Sequence, residues 1–113
     1  MIQIFHNPRC SKSRECLIGL EAGDQEIEIV KYLETAPTFE ELEILLQKLA
    51  IPPIELVRKK ETIWVTNFSN RTLTDREIIQ AMVDHPILIE RPIVINGDRA
   101  VIARPASKAQ SIM

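Results

Sequence analysis

The run PIVINGDRAVIA, residues 92–103, sets two short apolar segments on either side of Asn96-Gly97. An Asn-Gly pair flanked by β-favouring residues is among the strongest local signals for a hairpin. Residues 92–95 and 99–103 are therefore expected to be paired antiparallel strands. Arg104-Pro105 follows, and proline suits the first turn of a helix, so a terminal helix is expected to close the chain.

The other end reads differently. Ile2 to Phe5 form a short apolar run, and Asn7-Pro8 marks a turn because a residue before proline is driven out of the helical region. From Ser11 the pattern SKSRECLIGLEA turns helical, with Leu17 and Leu20 three apart and charges on other faces, until Gly23-Asp24 stops it. IEIVKYL, residues 27–33, alternates as a second strand. Strand, helix and strand in this order make a right-handed parallel unit.

Between the two ends the sequence is helical. TFEE begins a capping box, with Thr38 as cap and Glu41 three residues on, and Leu42, Leu45, Leu46 and Leu49 supply its apolar stripe. Pro52-Pro53 end that helix, residues 54–59 read as a short helix finishing in the basic RKK, and residues 61–70 read as extended or loop with Trp64 and Phe68 packed. A second capping box, Thr74 with Glu77, opens a helix through about Val83 whose inward positions are Ile78, Ile79 and Met82. The expected architecture is α/β: a mixed four-stranded sheet with flanking helices and a mostly helical insertion at about residues 38–85.

At 113 residues the chain has room for one domain with a sizeable core. Its 14 basic and 16 acidic residues give a formal charge of −2, which argues against wholesale binding of nucleic acid. No apolar run approaches the roughly 20 residues needed to cross a bilayer. The opening MIQIFHNPRC lacks the pattern of a signal peptide, so a cytoplasmic, reducing setting is expected. The only histidines, His6 and His85, are far apart and lack ligand-spaced partners, so no metal site is expected.

Chemistry concentrates in HNPRCSKSREC, residues 6–16. Cys10 falls at a helix start, where unpaired N–H groups stabilise an anion, and Arg9, Arg14 and His6 are candidate neighbouring cations. Those features point to a reactive thiolate. Cys16 lies six residues on. Along one helix that is about 9 Å of rise, with the two side chains well apart in direction, whereas a disulfide needs α-carbons roughly 4.4–6.8 Å apart. Cys16 therefore reads as a packed residue, and an external thiol must resolve whatever Cys10 forms. The C-x5-R loop of phosphate-hydrolysing cysteines is missing, because position 16 is cysteine. Nor is there a Walker or G-x-G-x-x-G sequence to hold a nucleotide.

HNPRCSKSR, ELVRKK, HPILIERPIV and a final ARP, in that order, resemble the glutaredoxin-coupled arsenate reductase family across the whole chain. The resemblance implies a thioredoxin/glutaredoxin-like fold. It implies that Cys10 is the nucleophile, that Arg58, Arg91 and Arg104 line an oxyanion pocket, and that His6 keeps the thiol ionised and oriented. Ser13 and Arg14 fall inside the matching segment, and Pro92 matches the cis-proline facing the active cysteine. The reaction it implies reduces arsenate to arsenite through a covalent cysteine–arsenic intermediate. Glutathione would be co-substrate and glutaredoxin partner, with no bound cofactor, in a monomer. Two other readings stay open: a reductase acting on another substrate, and a thiol-based regulator or interaction protein of the same fold. The regulators sense oxidants with a C-x-x-C pair, and here position 13 is serine.

Overall fold

The computed structural model describes residues 1–113, which divide into two compact units, residues 1–35 with 91–113 and residues 36–90. The first unit holds β1 (Ile2–Phe5), α1 (Ser11–Glu21), β2 (Ile27–Val30), β3 (Ile93–Asn96), β4 (Arg99–Ile102) and a terminal 3-10 helix, Ala106–Ile112. Its strands form one sheet in the order β2-β1-β3-β4. β1 runs parallel to β2 and antiparallel to β3, which is antiparallel to β4, so the expected mixed four-stranded sheet is present.

Period-two alternation puts Ile2 and Ile4 on one face, where Val94 lies opposite Ile4. That face is buried together with Cys16 and Leu20 of α1 and with Ala109 and Ile112, which lie three apart and so share one side of the terminal 3-10 helix. Full burial of one such aliphatic side chain is worth about 1.5–3 kcal/mol. At the end of β1 the ring of Phe5 stacks on the fully buried Tyr32 at 5.9 Å.

The second unit holds α2 (Phe39–Leu49), α3 (Thr62–Asn67) and α4 (Asp75–Asp84), with a 3-10 turn at Pro53–Leu56 between α2 and α3 and another at Pro86–Leu88 after α4. Both capping boxes form: Thr38 and Glu41 exchange backbone-to-side-chain bonds of 3.0 and 3.1 Å, and Thr74 and Glu77 bonds of 2.9 and 3.2 Å. Leu42, Leu45, Leu46, Ile78, Ile79 and Met82 are buried, as their spacing requires.

Several expectations need correction. β2 ends at Val30 rather than Leu33, because the N–H groups of Glu34 and Thr35 both fold back onto the carbonyl of Lys31 at 3.0 Å. Residues 62–67 are helical, not extended, and Trp64 and Phe68, four apart, stack at 5.4 Å. The short helix expected at 54–59 is a 3-10 turn that stops at Leu56; Val57 then bridges Ile89, and Arg58 sits just past that bridge. The terminal helix is 3-10, with Pro105 preceding it as cap. In the hairpin Asn96 pairs with Arg99, which leaves Gly97 and Asp98 as the loop. Gly97 alone has positive φ, +65°, the pattern of a type II′ turn with glycine first rather than of type I′. No helix is long and apolar enough to cross a membrane.

Candidate active site

The sheet explains how distant residues converge in the first unit. β1 leads into His6 and the loop to Cys10. Phe5 pairs with Ile93, and Ile93 in turn pairs with Ile102. Arg91 and Pro92 enter β3, and Ala103 and Arg104 leave β4, at the same sheet end where β1 finishes. The Ala103 N–H donates to the Pro92 carbonyl at 2.9 Å. The Arg104 guanidinium reaches the Arg91 carbonyl at 3.5 Å. The Arg91–Pro92 bond is cis, as the resemblance implied, and Arg104–Pro105 is cis as well.

The loop is built by Asn7. Its carbonyl accepts from the Cys10 N–H and its side-chain oxygen from the Arg9 N–H, each at 3.0 Å, a turn that Pro8 pre-shapes. Cys10 is then the N-cap of α1, with extended backbone, and its carbonyl accepts the first helical bond from Arg14 at 3.0 Å. The thiol makes no regular capping bond. Burial pushes its pKa up, but the N–H of Ser13, the charge of Arg91, the N–H of Lys12 and a hydrogen bond from Arg91 together outweigh burial, and the net shift is downward. Cys10 is thus a half-buried thiol biased toward thiolate. Cys16 is the reverse: 2% exposed in the apolar core, with burial pushing its pKa up to about 11.

His6 and Ser13 hold the loop from beneath. Both are buried, and His6 Nδ1 lies 2.7 Å from Ser13 Oγ, which also accepts the Asn7 N–H at 3.0 Å. Burial, with Lys31 and Arg14 nearby, lowers the His6 pKa below its ordinary 6.5, so the ring is neutral near pH 7. The Ser13 hydroxyl thus joins the neutral ring to the Asn7 backbone in one buried network. This corrects one expectation: His6 is not a cation beside the thiol but part of a neutral network that fixes the loop. Arg14 likewise acts structurally, donating to the Pro8 carbonyl at 2.9 Å. The cation on Cys10 is Arg91.

A groove that the sequence did not announce lies beside this loop. His6, Asn7, Pro8 and Arg9 line it with Lys31, Leu33 and Glu34, around a volume of about 260 Å³. Lys31 and Leu33 were read as the end of a strand, which hid their position in a turn next to the loop. Arg58 belongs to the second unit, where Glu61 holds it at 3.0 Å and Glu90 at 3.9 Å.

The family model described as ArsC family matches residues 5–112. The chain belongs to the ArsC family. It is 38% identical to an arsenate reductase of Neisseria meningitidis, over 99% of this chain and 97% of that protein. It is 43% identical to the uncharacterized protein YfgD of Escherichia coli, over 99% of this chain and 96% of that one. Among solved structures, the arsenate reductase from Vibrio cholerae superposes with a TM-score of 0.93 at 40% identity, covering 99% and 97% of the two chains. The ArsC sheet described above is the thioredoxin-like arrangement, with Cys10 at the start of α1.

Proposed function

We propose that this protein is an arsenate reductase that uses the Cys10 thiolate as nucleophile and glutathione with glutaredoxin as reductants. The observation that carries the reading is the Cys10 sulfur at a helix start, held toward the thiolate by the Ser13 N–H and by Arg91. A tetrahedral oxyanion resembles phosphate in shape and charge, and guanidinium groups suit it because each offers a planar fork of donors. Arg91 supplies that charge at Cys10, Arg104 reaches the Arg91 carbonyl at the same sheet end, and the family resemblance adds Arg104 and Arg58 to the oxyanion pocket.

In the first step the thiolate displaces hydroxide from arsenate, which leaves as water once protonated, and a sulfur–arsenic bond forms. The fixed arginines oppose the negative charge that gathers on the oxygens, where preorganised charge lowers barriers most. Glutathione then attacks the adduct. Its sulfur and that of Cys10 end joined as a disulfide, while the electron pair of the former sulfur–arsenic bond stays on arsenic, which falls from As(V) to As(III) as arsenite. Glutaredoxin removes the glutathionyl group by thiol–disulfide exchange and restores Cys10. The buried Cys16 supports an outside thiol, because it leaves Cys10 without a resolving partner in its own helix.

No cofactor takes part in this scheme, and we place the reaction in the cytoplasm, with a monomer as the working form. The regulatory reading is disfavoured by position 13, where a buried serine bonded to His6 stands in place of a second cysteine. The test is arsenate-dependent NADPH consumption coupled through glutathione, glutathione reductase and glutaredoxin. Turnover that vanishes in Cys10→Ser and without glutaredoxin is expected. Thiol-dependent turnover of a different oxyanion, with none of arsenate, would reassign the substrate.

A further inference from the structure

We propose that the groove lined by His6, Asn7, Pro8, Arg9, Lys31, Leu33 and Glu34 is the seat of the reducing peptide thiol, glutathione. The inference rests on the reading of Cys10 as a nucleophile resolved from outside. Sheet order gives the first reason. β1 stands between β2 and β3, so the loop after β1 has Arg91 of the β3 side on one flank and Lys31 of the β2 side on the other. The oxyanion charge and the groove therefore lie on opposite flanks of the segment that carries Cys10, and both can be occupied in one cycle. Arg9 lines the groove and directly precedes Cys10.

Charge gives the second reason. Glutathione carries two carboxylates and one ammonium at neutral pH. The groove offers two exposed cations, Arg9 and Lys31, and one exposed carboxylate, Glu34, in a matching two-to-one pattern. A free phosphate or another simple anion would have no use for Glu34. Leu33 and Pro8 provide apolar surface for the short peptide stem, and the buried His6 ring closes the inner side. The volume of about 260 Å³ falls a little below the roughly 300–1,000 Å³ of pockets that enclose drug-sized ligands. It suits a small peptide that leaves its thiol free to turn toward Cys10. Chemically the groove only positions: the peptide's thiolate attacks the adduct, the disulfide forms, and arsenic keeps the electron pair.

The probe is S-methylglutathione, which cannot react, titrated into the full-length Cys10→Ser protein and followed by two-dimensional amide NMR. Saturable shifts concentrated at Asn7, Arg9, Lys31, Leu33 and Glu34 are expected. Lys31→Glu should weaken binding at least tenfold, and Glu34→Gln should weaken it less. Both residues are exposed, and retained dispersion of the spectra shows that each variant folds. Shifts centred elsewhere, no saturable shifts, or equal affinity in Lys31→Glu would overturn the proposal, whatever the coupled assay shows. Groove binding in a protein that turns over no oxyanion would instead sink the reductase reading alone.

Discussion

The Arg91 guanidinium donates to the Cys10 sulfur and faces it as a charge, although one residue precedes β3 and the other follows β1. Removing that cation should therefore move a measurable property of the thiol. In Arg91→Ala the pH midpoint for alkylation of Cys10, read by peptide mass, is expected to rise toward the ordinary value. Catalytic efficiency should fall about a hundredfold, since one good transition-state contact is commonly worth about 3 kcal/mol. Arg91→Lys should recover the midpoint better than the efficiency, because lysine keeps the charge and loses the fork. An unmoved midpoint in Arg91→Ala would show that the helix start alone ionises the thiol.

The two cysteines should separate cleanly. Alkylation of native protein across pH is expected to modify Cys10 with a midpoint below the ordinary thiol value, and to spare Cys16 until the fold opens. Cys10→Ser should abolish turnover. Cys16→Ala should keep it at a stability cost on the order of 1 kcal/mol, as for a small cavity in the core. Equal rates at both sulfurs would contradict the burial of Cys16.

Ser13→Ala removes the partner of His6 and the acceptor for the Asn7 N–H at one stroke. Groups left unsatisfied in a buried position cost about 1–3 kcal/mol, so denaturant midpoints should fall by that order. Ser13→Thr keeps the oxygen but adds a methyl group where no exposure remains, and is expected to help only in part.

The depressed His6 pKa carries a pH signature. The folded ring resists protonation, whereas the unfolded chain takes up a proton near pH 6.5. Below that point the unfolded state binds more protons, so stability falls as pH falls through 6.5 toward the lower folded pKa. Thermal melts between pH 7.5 and 5.5 should show a steeper loss in the parent than in His6→Gln. Parallel slopes would mean that His6 is already charged in the folded protein.

Arg58 distinguishes a chemical role from a structural one. Glu61 and Glu90 already hold it within its own unit. If it is also an oxyanion residue, Arg58→Lys should keep most of the thermal stability and lose about tenfold or more in arsenate efficiency, and Arg58→Ala should lose further. The exposed Lys59→Ala and Lys60→Ala should change little. Reduced melting temperature with unchanged efficiency would leave Arg58 as an ion-pair residue only.

Much of the fold was readable because local chemistry and tertiary structure agree. Both capping boxes and the buried leucine stripe follow from side-chain type and spacing, and the Gly97 turn needed only one residue tolerant of positive φ. Helix α3 was hidden because Thr62, Ile63, Val65 and Thr66 are β-branched, and their stiffness favours strands. The four-residue spacing of Trp64 and Phe68 was the signal that outweighed them. In the site, Cys10 was evident from its place between strand and helix. The neutrality of His6 was not, since it arises from burial against Ser13, and sequence shows neither. Lys31 and Leu33 were masked by an alternation that continues past the point where the backbone turns.

Cys10 occupies the position where a helix ordinarily carries serine, threonine or aspartate, and in its ionised form it gives the open N–H groups of α1 a negative charge to face. That benefit lasts only while the sulfur is free. Once it is bonded to arsenic or to another sulfur, the sulfur's own charge is gone, so the free thiolate is the form in which Cys10 itself serves as the anionic cap of α1.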